Sequence, residues 1–228
     1  MELNKESRAY AGALIAVEGL NGAGKSTQVR LLYKWLSGMK CRVFYSEWNS
    51  SELVDEVYRR GKKSKLLTPT TFSLVNATDF ADRYDRQILP MLKGGFIVLC
   101  DRYIYTSYAV DRVRGCDKGW LRGLYQFALP ADLVFYLDLP IHFSMDRLSD
   151  ARSEPSYFDA GMDLKLSQDL YESYRLFQGR VLTEYLAMAK EYGFHSVDAT
   201  LTISEQQGCI RQKMQKTIDL KKFKEKRI

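Results

Sequence analysis

Cysteine, histidine and proline are scarce in this chain of 228 residues, which has four cysteines, two histidines and five prolines. The cysteines stand at positions 41, 100, 116 and 209, and no two of them form a Cys-x-x-Cys pair. This spacing argues against a disulfide framework and against a zinc site. Cys100 lies within an apolar stretch, where a free thiol behaves as a small buried hydrophobe. We therefore expect a cytoplasmic protein.

Long apolar runs are also missing. No run reaches the roughly 18 residues needed to cross a bilayer, and residues 1–8 lack the apolar stretch of a signal peptide. We expect no association with a membrane. Because the chain has no repeat, low-complexity block or Gly/Ser-rich linker either, we predict a single domain that spans residues 1–228.

Positive charge exceeds negative charge by six, from 34 Lys plus Arg against 28 Asp plus Glu. An excess of this size is compatible with nucleic acid or with a small substrate rich in phosphate. Much of it is local, because five basic residues crowd positions 221–228. We interpret that run as a solvated basic chain end. Since no nucleic-acid module stands beside it, we do not expect a nucleic-acid partner.

Short apolar runs alternate with helical patterns along the chain, which favours an α/β fold with a parallel sheet. The predicted strands are residues 13–17, 42–45, 96–100, 133–137 and 196–197. The predicted helices are residues 26–36, 71–92 (with Pro90 bending the last turn) and 166–192. Nearly continuous apolar strands suit a sheet with helices on both faces. Ligands of such sheets bind beyond the carboxyl ends of the strands.

Residues 19–27 read Gly-Leu-Asn-Gly-Ala-Gly-Lys-Ser-Thr and fit the phosphate-loop pattern G-x-x-x-x-G-K-[ST], between a predicted strand and a predicted helix. Backbone N–H groups and the helix N-terminus can converge on phosphate oxygens there. Lys25 would reach the β- and γ-phosphates of ATP, and the Ser26 hydroxyl would bind Mg²⁺. The pattern predicts a P-loop NTPase fold whose nucleotide-binding residues are Asn21, Gly22, Ala23, Gly24, Lys25, Ser26 and Thr27.

A second carboxylate, Asp101, directly follows the third predicted strand, and Arg102 comes after it. In a P-loop protein a carboxylate at this place suits a position near the metal ion or its waters. Arg102 suits a bidentate grip on an acceptor phosphate. The alternative interpretation is an Asp–Arg pair that closes the start of a helix.

Residues 17–27 together with Asp101-Arg102-Tyr103 resemble the thymidylate kinase family of P-loop nucleoside-monophosphate kinases. Three further segments agree, in the right order. Residues 80–83 (Phe-Ala-Asp-Arg) resemble the family's segment that contacts the acceptor base. Residues 137–140 (Leu-Asp-Leu-Pro), followed by Arg147, resemble its entry to the LID. Residues 197–200 (Val-Asp-Ala-Thr) resemble its adenine-contacting loop.

The resemblance implies ATP- and Mg²⁺-dependent conversion of dTMP to dTDP by a homodimer, with a LID at about residues 148–164. It implies roles at the metal for Ser26 and Asp101, at the acceptor phosphate for Arg102 and at the base for Arg83. Thr106 falls where the family has a serine near the acceptor. Asp198 and Ala199 would contact adenine. Because Gly22 replaces an arginine of some members, a LID arginine should supply the missing cation, with Arg152 as first choice and Arg147 as second.

The departures from the family pattern concern mostly the acceptor pocket. Residues 45–49 read Tyr-Ser-Glu-Trp-Asn where the family commonly has Thr-Arg-Glu-Pro, so an acceptor-phosphate arginine is missing. Asp79 stands where an aromatic residue stacks on thymine, although the adjacent Phe80 could substitute. Asp111 stands where many members have glutamine, and Asn21 where the family has an acidic residue.

Two other functions are compatible with parts of the sequence. A deoxynucleoside kinase would use a carboxylate after the second strand as its base, and Glu47 is suitably placed. A non-catalytic nucleotide switch would need a guanine-reading Asn-Lys-x-Asp segment. The one Asn-Lys pair precedes the first predicted strand and lacks the Asp. The ordered set of motifs favours the monophosphate kinase.

Overall fold

The computed structural model describes residues 10–150 and 154–224, and its centre is a five-stranded parallel sheet. The strands are β1 (Ala13–Gly19), β2 (Val43–Glu47), β3 (Ile97–Asp101), β4 (Leu133–Asp138) and β5 (His195–Asp198). Their order in the sheet is β2-β3-β1-β4-β5. All five predicted strands are therefore confirmed, each shifted or extended by one or two residues.

Nine α-helices belong to the described residues: α1 (Lys25–Gly38), α2 (Asp55–Ser64), α3 (Pro69–Arg83), α4 (Leu89–Lys93), α5 (Ile104–Val113), α6 (Lys118–Leu124), α7 (Ile141–Asp150), α8 (Leu170–Tyr192) and α9 (Ile203–Thr217). A π-helical turn, Tyr84–Ile88, joins α3 to α4. Two short 3₁₀ turns cover Met162–Leu164 and Leu220–Phe223. Within these described residues no helix is both long and apolar enough to span a membrane.

Both faces of the sheet are covered, which confirms the predicted fold class. Alternate residues of each central strand point to opposite faces, because the side-chain period of a strand is two. Leu14 and Ala16 of β1 face a core built with α3, α5 and α8, whereas Ile15 and Val17 face a core built with α1 and α9. The strands therefore read as continuous apolar runs.

Two predicted helices differ from those observed. The helix predicted over 71–92 is α3, the π-helical turn and α4 in succession, with Pro90 in the first turn of α4. Proline lacks an N–H group, so the regular hydrogen-bond pattern is interrupted just before it. The helix predicted from 166 begins at Leu170, since Asp169 caps it by accepting a hydrogen bond from the backbone N–H of Glu172 at 2.7 Å.

Candidate active site

The candidate site lies at the carboxyl edge of the sheet, where parallel strands bring their following loops together. In the register of the sheet Val17 pairs with Asp101, and Asp138 with Asp198. The phosphate loop after β1, Asp101 at the end of β3 and the loop after β5 are therefore neighbours. These three segments are about 75 to 180 positions apart in the sequence, and the sheet topology brings them to one edge.

In the phosphate loop, the side chain of Lys25 is bonded to the backbone of the loop itself. Gly22 and Gly24 have left-handed φ angles of 76° and 89°, which a side chain would disfavour. Lys25 is buried and its Nζ donates to the carbonyl oxygen of Leu20 at 2.6 Å. Burial lowers the pKa of Lys25 well below that of an ordinary lysine, and the nearby charge of Arg102 lowers it further. An anionic phosphate in the loop would stabilise the charged form.

An open cavity of about 590 Å³ lies at the N-terminus of α1, next to the phosphate loop. Its lining includes six of the seven predicted nucleotide-binding residues of the loop: Asn21, Gly22, Gly24, Lys25, Ser26 and Thr27. The seventh, Ala23, is fully buried and supports the loop from the core. A helix N-terminus with converging N–H groups favours an anion here.

Arg147 joins the phosphate loop to the loop after β5. Its Nη1 donates to the carbonyl oxygen of Gly22 and its Nη2 to that of Ala199, each at 2.7 Å. The neighbouring Asp198 is exposed, and two hydrogen bonds from Thr200 lower its pKa. Arg147, the second choice for a LID cation, thus has two backbone partners. Arg152, the first choice, lies outside the described residues.

Arg102 occupies a conformation that few non-glycine residues adopt, with φ at 70°. Its N–H donates to the carbonyl oxygen of Val17 at 3.1 Å, and its Nη2 donates to the side-chain oxygen of Asn21. Asp101, one position earlier, is buried, and its Oδ2 accepts from the Tyr45 hydroxyl at 3.3 Å. The unusual backbone directs Arg102 toward the phosphate loop while Asp101 stays at the strand end.

A second, more enclosed cavity of about 120 Å³ adjoins the first, and Arg102 lines both. Thr106 and Asp111, two predicted acceptor-site residues, also line it. Six aromatic residues belong to its wall: Trp48, Tyr58, Phe72, Phe158, Phe177 and Tyr185. Aromatic rings and polar side chains thus share the wall of this cavity, a combination that suits a small molecule with a planar ring and polar groups.

Three other predicted acceptor residues lie elsewhere. Glu47 is exposed at the end of β2, Phe80 is fully buried in the core, and Arg83 has only 1% of its surface exposed. None of them is among the described side chains that line the enclosed cavity. The aromatic wall comes instead from Trp48, which belongs to the segment that departs from the family pattern, and from Phe72.

Arg83 fastens the end of β2 to α3. Its Nε forms a salt bridge with Asp79 at 2.8 Å, and its Nη1 donates to the Ser46 hydroxyl at 2.9 Å. The guanidinium carbon lies 5.4 Å from the ring centre of Trp48. Asp79 also accepts from the backbone N–H groups of Asn49 and Ser51. Asp79, Ser46 and Trp48, which all depart from the family pattern, therefore form one connected unit around Arg83.

Glu18 was not singled out from the sequence, although it precedes the phosphate loop. It is fully buried and accepts from the backbone N–H of Tyr103 and the Thr106 hydroxyl, both at 2.7 Å, and from the Tyr185 hydroxyl at 2.9 Å. Burial raises the pKa of Glu18, while these hydrogen bonds favour its charged form. Glu18 thereby orients Thr106 at the cavity wall. In the sequence, the sign of its importance is a charged residue within an otherwise apolar strand, because charged residues are seldom fully buried without partners.

Several polar side chains of the enclosed cavity have atoms without hydrogen-bond partners among the described residues. Asp111 is fully buried, and neither of its carboxylate oxygens has a hydrogen-bond partner of standard geometry within the described residues. Burial raises the pKa of Asp111 to about 6, although the nearby Ser73 hydroxyl and Arg114 favour the charged form. Asn76 Oδ1 and Arg114 Nη1 are likewise without partners. Buried polar groups are normally paired, so this cluster indicates a ligand with a polar edge.

A family model described as thymidylate kinase matches residues 17–210 of the chain. The chain belongs to the thymidylate kinase family. "Probable thymidylate kinase 2" of Saccharolobus solfataricus is 41% identical over 209 residues, which cover 91% of this chain and 98% of that relative. A "Probable thymidylate kinase" of Thermococcus kodakarensis is 36% identical, covering 66% of this chain and 78% of its own length.

A further thymidylate kinase relative, from Methanocaldococcus jannaschii and named "Probable thymidylate kinase", is 30% identical over 82% of this chain and 86% of its own length. The resemblance noted from the motifs is therefore confirmed over almost the whole predicted span. In this chain, residues 45–49 and Asp79 differ from the family pattern. The structure joins both to Arg83, and Trp48 and Asn49 of the segment line the enclosed cavity.

Proposed function

We propose that this chain is a nucleoside-monophosphate kinase that transfers the γ-phosphoryl group of ATP to dTMP, producing dTDP. The observation that carries the proposal is the pair of adjoining cavities that share Arg102, one beside the phosphate loop and one enclosed by aromatic and polar side chains. The family membership and the names of the relatives point to the same reaction.

The open cavity takes ATP. N–H groups of the phosphate loop bind the phosphate oxygens, and Lys25 neutralises charge on the β- and γ-phosphates. We assign the adenine contact to the loop with Asp198 and Ala199, which Arg147 joins to Gly22 of the phosphate loop. Lys25 then exchanges its bond to Leu20 for phosphate oxygens.

The residues at the phosphate loop fit Mg²⁺. Ser26 offers a hydroxyl and Asp101 a carboxylate whose Oδ2 accepts only a long bond from Tyr45 among the described residues. Oxygen donors of this type suit a hard cation that is bound mainly through nucleotide phosphates and water. Ser26 and Asp101 would hold the ion, which would neutralise charge on the transferring group.

The enclosed cavity takes the acceptor. Arg102 reaches the acceptor phosphate, and the rings of Trp48 and Phe72 provide walls for a planar base. Asp111 and Arg114 present an acceptor and a donor without partners to the polar edge of that base. A pyrimidine with an N–H group beside a carbonyl group offers the complementary pattern.

The reaction needs no general base, because the acceptor phosphate is already a competent nucleophile. This chain aligns the two phosphates and neutralises their charge through Lys25 and Arg102. We propose that Arg152 adds a further cation when the LID, at about residues 148–164, closes. Closure also excludes water and so limits ATP hydrolysis.

Neither alternative function is favoured by the site. A deoxynucleoside kinase would need Glu47 at the acceptor, and Glu47 is exposed outside the described cavity lining. A switch protein would have no use for an enclosed second cavity. The homodimer implied by the family resemblance remains a prediction, which light scattering on the purified protein measures directly.

An ATP-coupled assay over all ribo- and deoxynucleoside monophosphates, with thymidine included, tests the proposal. We expect dTMP to give the highest kcat/KM and thymidine to give no turnover. Phosphorylation of thymidine without dTMP turnover would favour the deoxynucleoside kinase. ATP binding without turnover of any acceptor would favour the switch.

A further inference from the structure

Arg114, at the end of α5, is held by the segment that ends the predicted LID. Its side chain is 1% exposed. Its Nη2 donates to the carbonyl oxygen of Phe158 at 2.6 Å, and its Nε forms a salt bridge with Asp163 at 2.9 Å. Both partners belong to residues 154–164, the last part of the predicted LID, which we name the post-LID segment because it follows the LID arginine Arg152. One buried guanidinium thus attaches this segment to α5.

The same guanidinium faces the enclosed cavity. Its central carbon lies 4.4 Å from the ring centre of Phe72 and 4.7 Å from that of Phe177, and both rings line the cavity. Arg114 itself lines the cavity, and its third nitrogen, Nη1, is buried without a hydrogen-bond partner in the described residues. A planar guanidinium has a rigid fork of donors, so fixing two nitrogens fixes the direction of the third.

We infer that Arg114 is a positioning residue that couples occupancy of the acceptor cavity to the ordering of the post-LID segment. The inference rests on the proposed function, because it takes dTMP as the occupant. A carbonyl oxygen of the bound base that accepts from Nη1 stabilises the guanidinium orientation that also binds Phe158 and Asp163. By linkage, a segment held in place favours the acceptor to the same extent.

The coupling has a consequence for the reaction because of Asp159. This residue stands between Phe158 and Asp163 and lines both cavities. Its carbonyl oxygen accepts from Gln178 of α8 at 2.9 Å. Ordering the post-LID segment when the acceptor binds therefore also sets the wall of the cavity in which ATP lies.

Asp163→Asn is the main test, since Asp163 is not among the described residues that line the open or the enclosed cavity, and the substitution keeps the shape of the side chain. It removes the charge that fixes Nε of Arg114. Arg114→Lys is the second variant, which keeps a charge and loses the fork. Arg175→Gln is the matched control, because it breaks an exposed arginine–carboxylate pair with Glu172 on α8.

Two quantities are measured for each variant: KM for dTMP and for ATP, and hydrogen exchange of amides 157–164 with and without dTMP. In the wild-type protein we expect dTMP to slow exchange in this segment. Asp163→Asn and Arg114→Lys should remove most of that protection and raise KM for dTMP at least about fivefold, the lower end of ordinary coupling. KM for ATP should rise less than KM for dTMP, since Asp159 is one of many residues that line the open cavity, and Arg175→Gln should match the wild type.

An unchanged KM for dTMP in Asp163→Asn, or a raised KM with full dTMP-dependent protection, overturns the coupling. If Arg114→Lys does not fold, as judged by its circular dichroism, Asp163→Asn alone decides. Failure of the proposed function gives a different result, in which dTMP neither protects any segment of the wild-type protein nor is turned over.

Discussion

Arg102 and Asn21 are joined by a hydrogen bond from Nη2 to Oδ1, with the two atoms 2.5 Å apart. The bond connects two residues that line both cavities, Arg102 after β3 and Asn21 in the phosphate loop. Where the family has an acidic P-loop residue, Asn21 offers a neutral oxygen. The guanidinium charge of Arg102 is therefore not cancelled by its partner and stays available to an acceptor phosphate.

Arg102→Ala should raise KM for dTMP and lower kcat, each by at least about tenfold, because a charge-assisted bond made to the transferring centre is lost. KM for ATP should change by less than about threefold, since Lys25 and the loop N–H groups remain. Steady-state kinetics with each substrate varied measures both values. A variant whose main defect is a raised KM for ATP would show that Arg102 belongs to the donor site.

Lys25→Met should lower kcat by about 10²–10³, the usual effect of removing one donor from developing charge. The fold should persist, since methionine matches the length of the buried lysine stem and removes a charge whose burial is unfavourable. Activity and thermal unfolding are measured together. Retention of most of the wild-type kcat would contradict the donor assignment, and loss of the folded state would make Lys25 structural.

Substitutions of Arg147 and Arg152 should affect different kinetic parameters. Arg147→Ala breaks the link between Gly22 and Ala199 and should chiefly raise KM for ATP. Arg152→Ala should lower kcat and kcat/KM together by at least about tenfold, as expected for a residue that acts only in the transition state. Arg175→Ala serves as the exposed control. Wild-type kinetics in Arg152→Ala would move the transition-state role to another cation.

Asp111→Asn should change the pH dependence of stability. The pKa of Asp111 is raised from 3.8 to about 6 in the folded protein, so the ionised carboxyl destabilises the fold. The penalty is absent below pH 3.8, grows between pH 4 and 6 and is complete above pH 6. A shift of this size corresponds to about 3 kcal/mol.

The free energy of unfolding of Asp111→Asn, relative to the wild type, should therefore rise from pH 4.5 to pH 7.5. Urea unfolding at both values measures the difference, and Thr183→Ala, which changes an exposed side chain of α8 without a titrating group, serves as the control. A difference independent of pH would mean that Asp111 titrates normally in the folded protein.

Much of this protein can be predicted from its sequence by local reasoning. The phosphate loop is a pattern of glycines, a lysine and a hydroxyl whose backbone geometry depends on nearby residues alone. The five strands follow from short apolar runs between turn and helix signals. Thr106 and Asp111, which the family resemblance assigns to the acceptor, line the enclosed cavity, and their role there stays a prediction.

The partners of the buried polar groups could not be predicted in this way. Arg83 was expected at the base, yet it binds Ser46, 37 positions away, and supports Trp48 from behind. Arg114 carries no sequence signal, and its partner Asp163 lies 49 positions away. Apolar periodicity specifies which residues are buried. Which buried charge meets which carbonyl or carboxylate depends on how distant helices pack against the sheet, and only the tertiary structure decides that.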